Sequence, residues 1–185
     1  MIICICGKSG SGKSTISKEL INIYKNNIVH LDIDKVGHLI YENSRVLKEV
    51  IECFGNKVLT CGKIDRKKLG KIVFRNVSEM ENLTNITWKY MEEYIDKFVE
   101  DNKDKIIILD WLLLPKTKYF ILSNIRVLLD VPYEIRKERA KKRDNISDSD
   151  FELRDKAGIN YDKSKFDLIL KDNTKKEVRK LVKLL

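Results

Sequence analysis

The sequence predicts an α/β fold, a mainly parallel sheet of about five strands flanked by helices. Three observations carry the prediction. Short runs of branched apolar residues recur along the chain, helical stretches separate them, and the first run leads into a glycine-rich turn that opens a helix. Such alternation favours parallel strands, because a parallel return needs a crossover long enough to hold a helix.

The elements follow in order. Ile2-Ile3-Cys4-Ile5-Cys6 is the first strand, and residues 13–24 read as the helix after the turn. Further strands are expected at 28–32, 106–109, 126–130 and 168–170, each short and rich in Ile, Val and Leu. Between 35 and 103 lies a helical stretch interrupted at Gly55, Gly62 and Gly70, which reads as a subdomain inserted into a single 1–185 domain. Within it Met80, Leu83, Thr87, Met91, Tyr94 and Phe98 recur at intervals of three or four and mark one stripe of a long helix, of the kind that packs into a core. Pro132 starts a strongly basic helix, and residues 136–158 read as a helix-and-loop lid.

A chain of 185 residues can bury a sizeable core without disulfides. Its four cysteines lack a metal-ligand spacing, and two histidines, His30 and His38, do not supply one, so buried reduced thiols are expected in place of a zinc site. The first glycine comes too early for a leader, and no apolar run approaches membrane-spanning length; a soluble cytoplasmic protein with no membrane partner is expected. Lysine and arginine outnumber acids 37 to 28, a net charge of +9, which suits ligands carrying several phosphates. No nucleic-acid module or stacking platform is recognisable, so no specific nucleic-acid partner is expected.

The turn after the first strand, Gly7-Lys8-Ser9-Gly10-Ser11-Gly12-Lys13-Ser14, fits G-x-x-x-x-G-K-S/T at every fixed position. Glycines let backbone N–H groups curl inward on phosphate oxygens, and the helix N-terminus adds partial positive charge. The pattern predicts ATP held by this turn together with Thr15, with Lys13 on the β- and γ-phosphates and Ser14 on Mg²⁺. A phosphate cradle alone does not separate kinases from ATPases or GTPases. The strand ending His30-Leu31-Asp32-Ile33-Asp34 is more selective: Asp34 is the candidate base for an attacking hydroxyl and Asp32 the candidate metal-side carboxylate. Either one can instead cap the next helix. Asp110, ending the strand 106–109, is a rival for the metal role. Arg136, Arg139 and Arg143 share a helix face, from which guanidiniums can fold over a triphosphate.

Together these residues resemble the dephospho-CoA kinase family. The resemblance rests on the phosphate loop, Asp32-Ile33-Asp34, Phe54-Gly55, Gly62-Lys63-Ile64-Asp65-Arg66, Leu69, Val73-Phe74, the arginine-bearing helix, and Asp167-Leu168-Ile169 followed by Asp172-Asn173. It implies a phosphate-loop NTPase-type core with a helical acceptor subdomain and a lid, and transfer of the γ-phosphate of ATP to the ribose 3′-hydroxyl of dephospho-CoA. It further implies Asp34 as base, Gly10 to Thr15 on ATP, Arg139 and Arg143 as lid arginines, and Arg66 beside Asp32 and Asp34 on the acceptor side. The chain departs from the family pattern at Thr87-Trp88, where His-Pro is usual, at Trp111-Leu112-Leu113-Leu114-Pro115, where Pro-Leu-Leu is usual, and near Ala157-Gly158, where a glutamine is usual. Two alternatives stay open: a nucleoside or nucleoside monophosphate kinase, and a nucleotide-dependent nucleic-acid-binding or regulatory protein.

Overall fold

The computed structural model describes residues 1–73, 76–156 and 158–185; Phe74 of the quoted motif and Ala157 lie outside them. The described residues form two compact units, Met1–Asp32 with Asn102–Leu185, and Ile33–Asp101.

The first unit is built on a five-stranded sheet, with β1 Ile2–Cys6, β2 Ile28–Asp32, β5 Ile106–Asp110, β6 Ile125–Leu129 and β7 Leu168–Leu170. The order is β2-β5-β1-β6-β7, and every pairing is parallel. β1 is central because it is apolar on both faces: Ile3, Cys4, Ile5 and Cys6 are fully buried. Ile3 and Ile5 pack with Ile16 and Leu20 of α1 (Lys13–Tyr24) and with Val178 and Leu181 of α9 (Lys175–Val182). On the other face the Cys4 thiol reaches the carbonyl of Tyr119 in α6 (Lys118–Leu122). Two helices, α7 (Tyr133–Asp144) and α8 (Asp148–Lys156), follow β6. Ser147 and Asp150 cap the start of α8 reciprocally, each side chain accepting the other's amide.

The strand expected at 126–130 is shifted back by one residue. Asp130 leaves the β6 strand, although its amide still donates to the Leu170 carbonyl. Burial of reduced thiols holds for Cys4 and Cys6 only, since Cys53 and Cys61 are exposed.

The second unit contains α2 Ile33–Leu39, α3 Ser44–Phe54, the two-residue strands β3 Leu59–Thr60 and β4 Lys63–Ile64, α4 Arg66–Val73 and α5 Val77–Asp101. Gly70 lies inside α4 and does not interrupt it. The buried stripe of α5 is Leu83, Tyr90, Met91 and Ile95; Tyr94, expected to face inward, is 42% exposed. The Glu49 carboxylate of α3 accepts from Lys89 and Tyr90 of α5, which ties those helices together.

Candidate active site

The phosphate loop spans the gap between β1 and α1. Gly10 and Gly12 lie in the left-handed region at φ +79° and +95°, which glycine adopts without a Cβ penalty. Gly12 caps α1, so the N–H groups of the first turn face the loop's concave side. Ser14 and Thr15 occupy that first turn and are both exposed. The Thr15 amide is already committed to the Gly12 carbonyl at 3.1 Å, closing the turn, so what Thr15 presents freely to a phosphate is its exposed hydroxyl side. Lys13 sends its ammonium back across the loop, donating to the Gly7 carbonyl at 3.0 Å and standing 3.8 Å from Asp110 Oδ1. Asp110 is only 3% exposed, lies 3.5 Å from His30 Nε2, and pairs in register with Asp32 across β2 and β5. Lys13, Asp110, Asp32 and the loop are therefore gathered at the carboxyl end of the sheet, where ligands sit in open α/β folds. The Ser11 hydroxyl is buried and has no hydrogen-bond partner among the described residues.

The arginines of α7 part company. Arg136 is 6% exposed and turns toward the phosphate loop, donating to the carbonyls of Val131 at 2.9 Å and Ser9 at 3.3 Å and to Asp155 at 2.6 Å. Arg139 donates to Asp172 at 2.6 Å, which holds that carboxyl below its usual range, while its Nη1 is buried without a partner among the described residues. Asp172 and its neighbour Asn173 follow β7, and a Cβ added to Gly12 would come within 2.7 Å of the Asn173 side chain. Arg143 instead forks onto Asp144 at 2.7 and 2.8 Å and is 60% exposed, so the three guanidiniums do not converge as one set. A pocket of about 290 Å³ opens beside the loop among Lys8, Asp130, Arg136, Asn160, Tyr161 and Lys163. Lys163 and Lys171 both bond Asp130 at 2.7 Å and hold its carboxyl down.

A divalent cation fits the donors at this end of the sheet. Ser14, Asp32 and Asp110 offer oxygen ligands only, and no group of three or more His, Cys, Asp or Glu among the described residues makes an all-protein cage. Mg²⁺ characteristically takes one or two carboxylates and completes its shell with phosphate oxygens and water.

In the second unit, Asp34 occupies the first turn of α2. Arg66, at the start of α4, places Nη2 2.8 Å from the His38 ring rather than pairing with Asp65. Asp65 is engaged as the α4 cap, accepting from the Lys67 and Lys68 amides and from Thr60. Tyr41 lies near Arg66, and burial raises its phenol pKa. Sequence reasoning missed Asp155, Tyr161 and His38, which carry no local motif. Asp172 and Asn173 had a readable signal, their place just past the carboxyl end of a strand.

A lysine-bearing glycine loop after the central strand, with a buried aspartate on the adjacent strand, defines a phosphate-loop nucleotide-binding protein. Solved structures share the fold: the TT1252 protein from Thermus thermophilus has a TM-score of 0.82 at 21% identity, covering 100% of this chain and 95% of that one. The dephospho-CoA kinase from Campylobacter jejuni has a TM-score of 0.66 at 26% identity, covering 98% and 95%. The chain belongs to the dephospho-CoA kinase family, whose family model matches residues 1–177. It is 36% identical over 148 residues to the dephospho-CoA kinase of Fusobacterium nucleatum, covering 80% of this chain and 75% of that protein. To the dephospho-CoA kinase of Prochlorococcus marinus it is 31% identical over 193 residues, covering 97% and 94%.

Proposed function

We propose that this protein transfers the γ-phosphate of ATP to the ribose 3′-hydroxyl of dephospho-CoA, giving coenzyme A. The carrying observation is the family match over residues 1–177, joined to the gathered Lys13, Asp110, Asp32 and phosphate loop. The loop 7–14 wraps the triphosphate, its Gly7 and Ser11 amides being spent on Tyr161 and Lys8 in holding the loop's shape, Thr15 adds its hydroxyl at the start of α1, and the Lys13 ammonium moves from the Gly7 carbonyl onto the transferring phosphoryl group. Arg139 adds its unpartnered nitrogen to the charge spreading over that group, and Arg143, at the end of α7, joins it by exchanging Asp144 for the phosphates as the lid closes. Ser14, Asp110 and Asp32 would hold Mg²⁺, which would supply neutralisation of phosphate charge.

Asp34 orients the acceptor hydroxyl and takes its proton, while Asp32 and Arg66 help to seat the acceptor. On this reading the unit Ile33–Asp101 is the acceptor subdomain, and residues 136–158 are the lid that excludes water from the reaction. The setting is the cytoplasm, consistent with the free thiols.

Purified protein given ATP, Mg²⁺ and either dephospho-CoA or a panel of nucleosides and their monophosphates is expected to phosphorylate dephospho-CoA preferentially. Asp34→Ala is expected to abolish transfer and leave ATP binding intact. Preferential phosphorylation of a nucleoside would move the protein to another substrate class, and full turnover by Asp34→Ala would remove that carboxylate from the chemistry.

A further inference from the structure

The phosphate loop does not stand by itself. Arg136 backs it with both main chain and side chain: a Cβ on Gly10 would lie 2.1 Å from the Arg136 carbonyl oxygen, and the guanidinium donates to the Ser9 carbonyl at 3.3 Å. That guanidinium is 8% exposed, so its charge needs compensation inside the protein. Among the described residues the carboxylate it pairs with is Asp155 of α8, at 2.6 Å, and the other Asp155 oxygen lies 3.6 Å from the Lys8 ammonium. One carboxylate thus neutralises two cations, one of them a residue of the loop and the other its support. A second link comes from Tyr161, whose hydroxyl accepts the Gly7 amide at 3.1 Å and donates to the Leu112 carbonyl at 3.0 Å.

We infer that Asp155 is a positioning residue for ATP binding, acting through Arg136 to hold the Ser9-Gly10 segment of the cradle in its phosphate-accepting shape, with Tyr161 holding the Gly7 end. A guanidinium deprived of its carboxylate seeks solvent or another anion, and releases the Ser9 carbonyl as it goes. Once that peptide is free to rotate, neighbouring amides no longer converge on one point, and the affinity derived from their convergence falls. The inference rests on reading residues 7–15 as the ATP cradle, and it gives α8 a role in the resting loop and not solely in closing over bound nucleotide.

Titration calorimetry with ATP and Mg²⁺ tests it, because binding is read without any acceptor. Asp155→Asn keeps the shape and one acceptor oxygen while losing the charge; it is expected to raise the ATP Kd about fivefold to tenfold, the scale of one ordinary net hydrogen bond. Asp155→Ala should raise it further, Asp155→Glu should restore part of the loss, and Tyr161→Phe should weaken ATP binding independently. The control is Asp148→Asn, which removes a different α7–α8 link, to Lys137 and Lys141, without touching the loop. It is expected to leave the ATP Kd unchanged.

If Asp155→Asn binds ATP as wild type does, or if Asp148→Asn weakens binding equally, the carboxylate serves only to join the helices and the inference is overturned. Should Asp155→Ala not fold, the Asp155→Asn and Tyr161→Phe measurements decide. A wild-type protein that binds ATP but leaves dephospho-CoA unmodified sinks the proposed reaction while leaving this inference standing; one that binds no ATP removes both.

Discussion

Replacing Gly10 by alanine tests the cradle most directly, because the obstacle is main chain. The new Cβ would meet the Arg136 carbonyl oxygen at 2.1 Å, its carbon at 2.8 Å and its Cα at 3.0 Å. No rotamer relieves such contacts, so the loop or α7 must retreat by about 1 Å, at a cost of about 1–3 kcal/mol by the measure of overpacked sites. The φ of +79° adds about 1 kcal/mol for an L-residue in the left-handed region. Arg136 is anchored to Val131 and Asp155, which makes the loop the part that yields. The sum of about 2–4 kcal/mol corresponds to a loss of about 30-fold to 1000-fold in ATP affinity where the displaced amides bear it. Calorimetric titration with ATP, paired with thermal melting without nucleotide, separates lost affinity from lost stability. The companion Gly12→Ala meets a side chain, Asn173, so adding Asn173→Gly should recover part of its loss, whereas Gly10→Ala has no such rescue. Gly10→Ala binding ATP within about threefold of wild type and melting normally would refute the reasoning, since a difference that small is under about 1 kcal/mol.

Other perturbations have equally definite outcomes. Ellman's reagent should react quickly with Cys53 and Cys61 in folded protein and reach Cys4 and Cys6 only after denaturation, because burial pushes the Cys4 thiol up to about 12 and the Cys6 thiol up as well; a third fast thiol would contradict that. Arg66→Ala should raise KM for the acceptor and leave KM for ATP unmoved, with His38→Leu doing the same more weakly; equal effects on both substrates would place Arg66 elsewhere. Asp144 is held well below the ordinary carboxylate range by Arg143 first and by Arg154, so its stabilising effect is complete above about pH 4 and fades as pH falls through the folded value. Melting temperatures of wild type and Asp144→Asn should therefore differ near neutrality and converge in acid; a gap that persists unchanged at low pH would count against the pairing.

The sheet was legible because its strands are short, branched and punctuated by helices, and because the phosphate-binding pattern is strict in both spacing and context. The edges of those strands were less so. Asp130 keeps a main-chain bond to Leu170 after the strand has ended, which no local pattern reveals. The β3–β4 hairpin has only two residues in each strand, too few for alternation to show. Lys13 could be read from the spacing of the glycine pattern, and Asp110 and Asp32 because position at a strand end is itself a signal. Asp155 and Tyr161 could not, since what they touch is decided by tertiary packing. Their helix-and-loop sequence, rich in charge, looks the same whether a carboxylate faces solvent or a buried guanidinium.

That difference alters how the glycine pattern itself is understood. Gly10 and Gly12 satisfy the turn's left-handed geometry, yet each is also pressed against a remote segment, Gly10 on Arg136 and Gly12 on Asn173. The Gly7 amide meets Tyr161 across 154 residues of sequence, and Ser9 meets Arg136 across 127. A loop specified only by its own dihedral preferences would be shaped by local residues. Here β6, α7, α8 and the turn after β7 must be in place before the amides converge, so the cradle is completed only as part of the whole first unit. Bound ATP is then linked to the integrity of that unit rather than to the loop by itself.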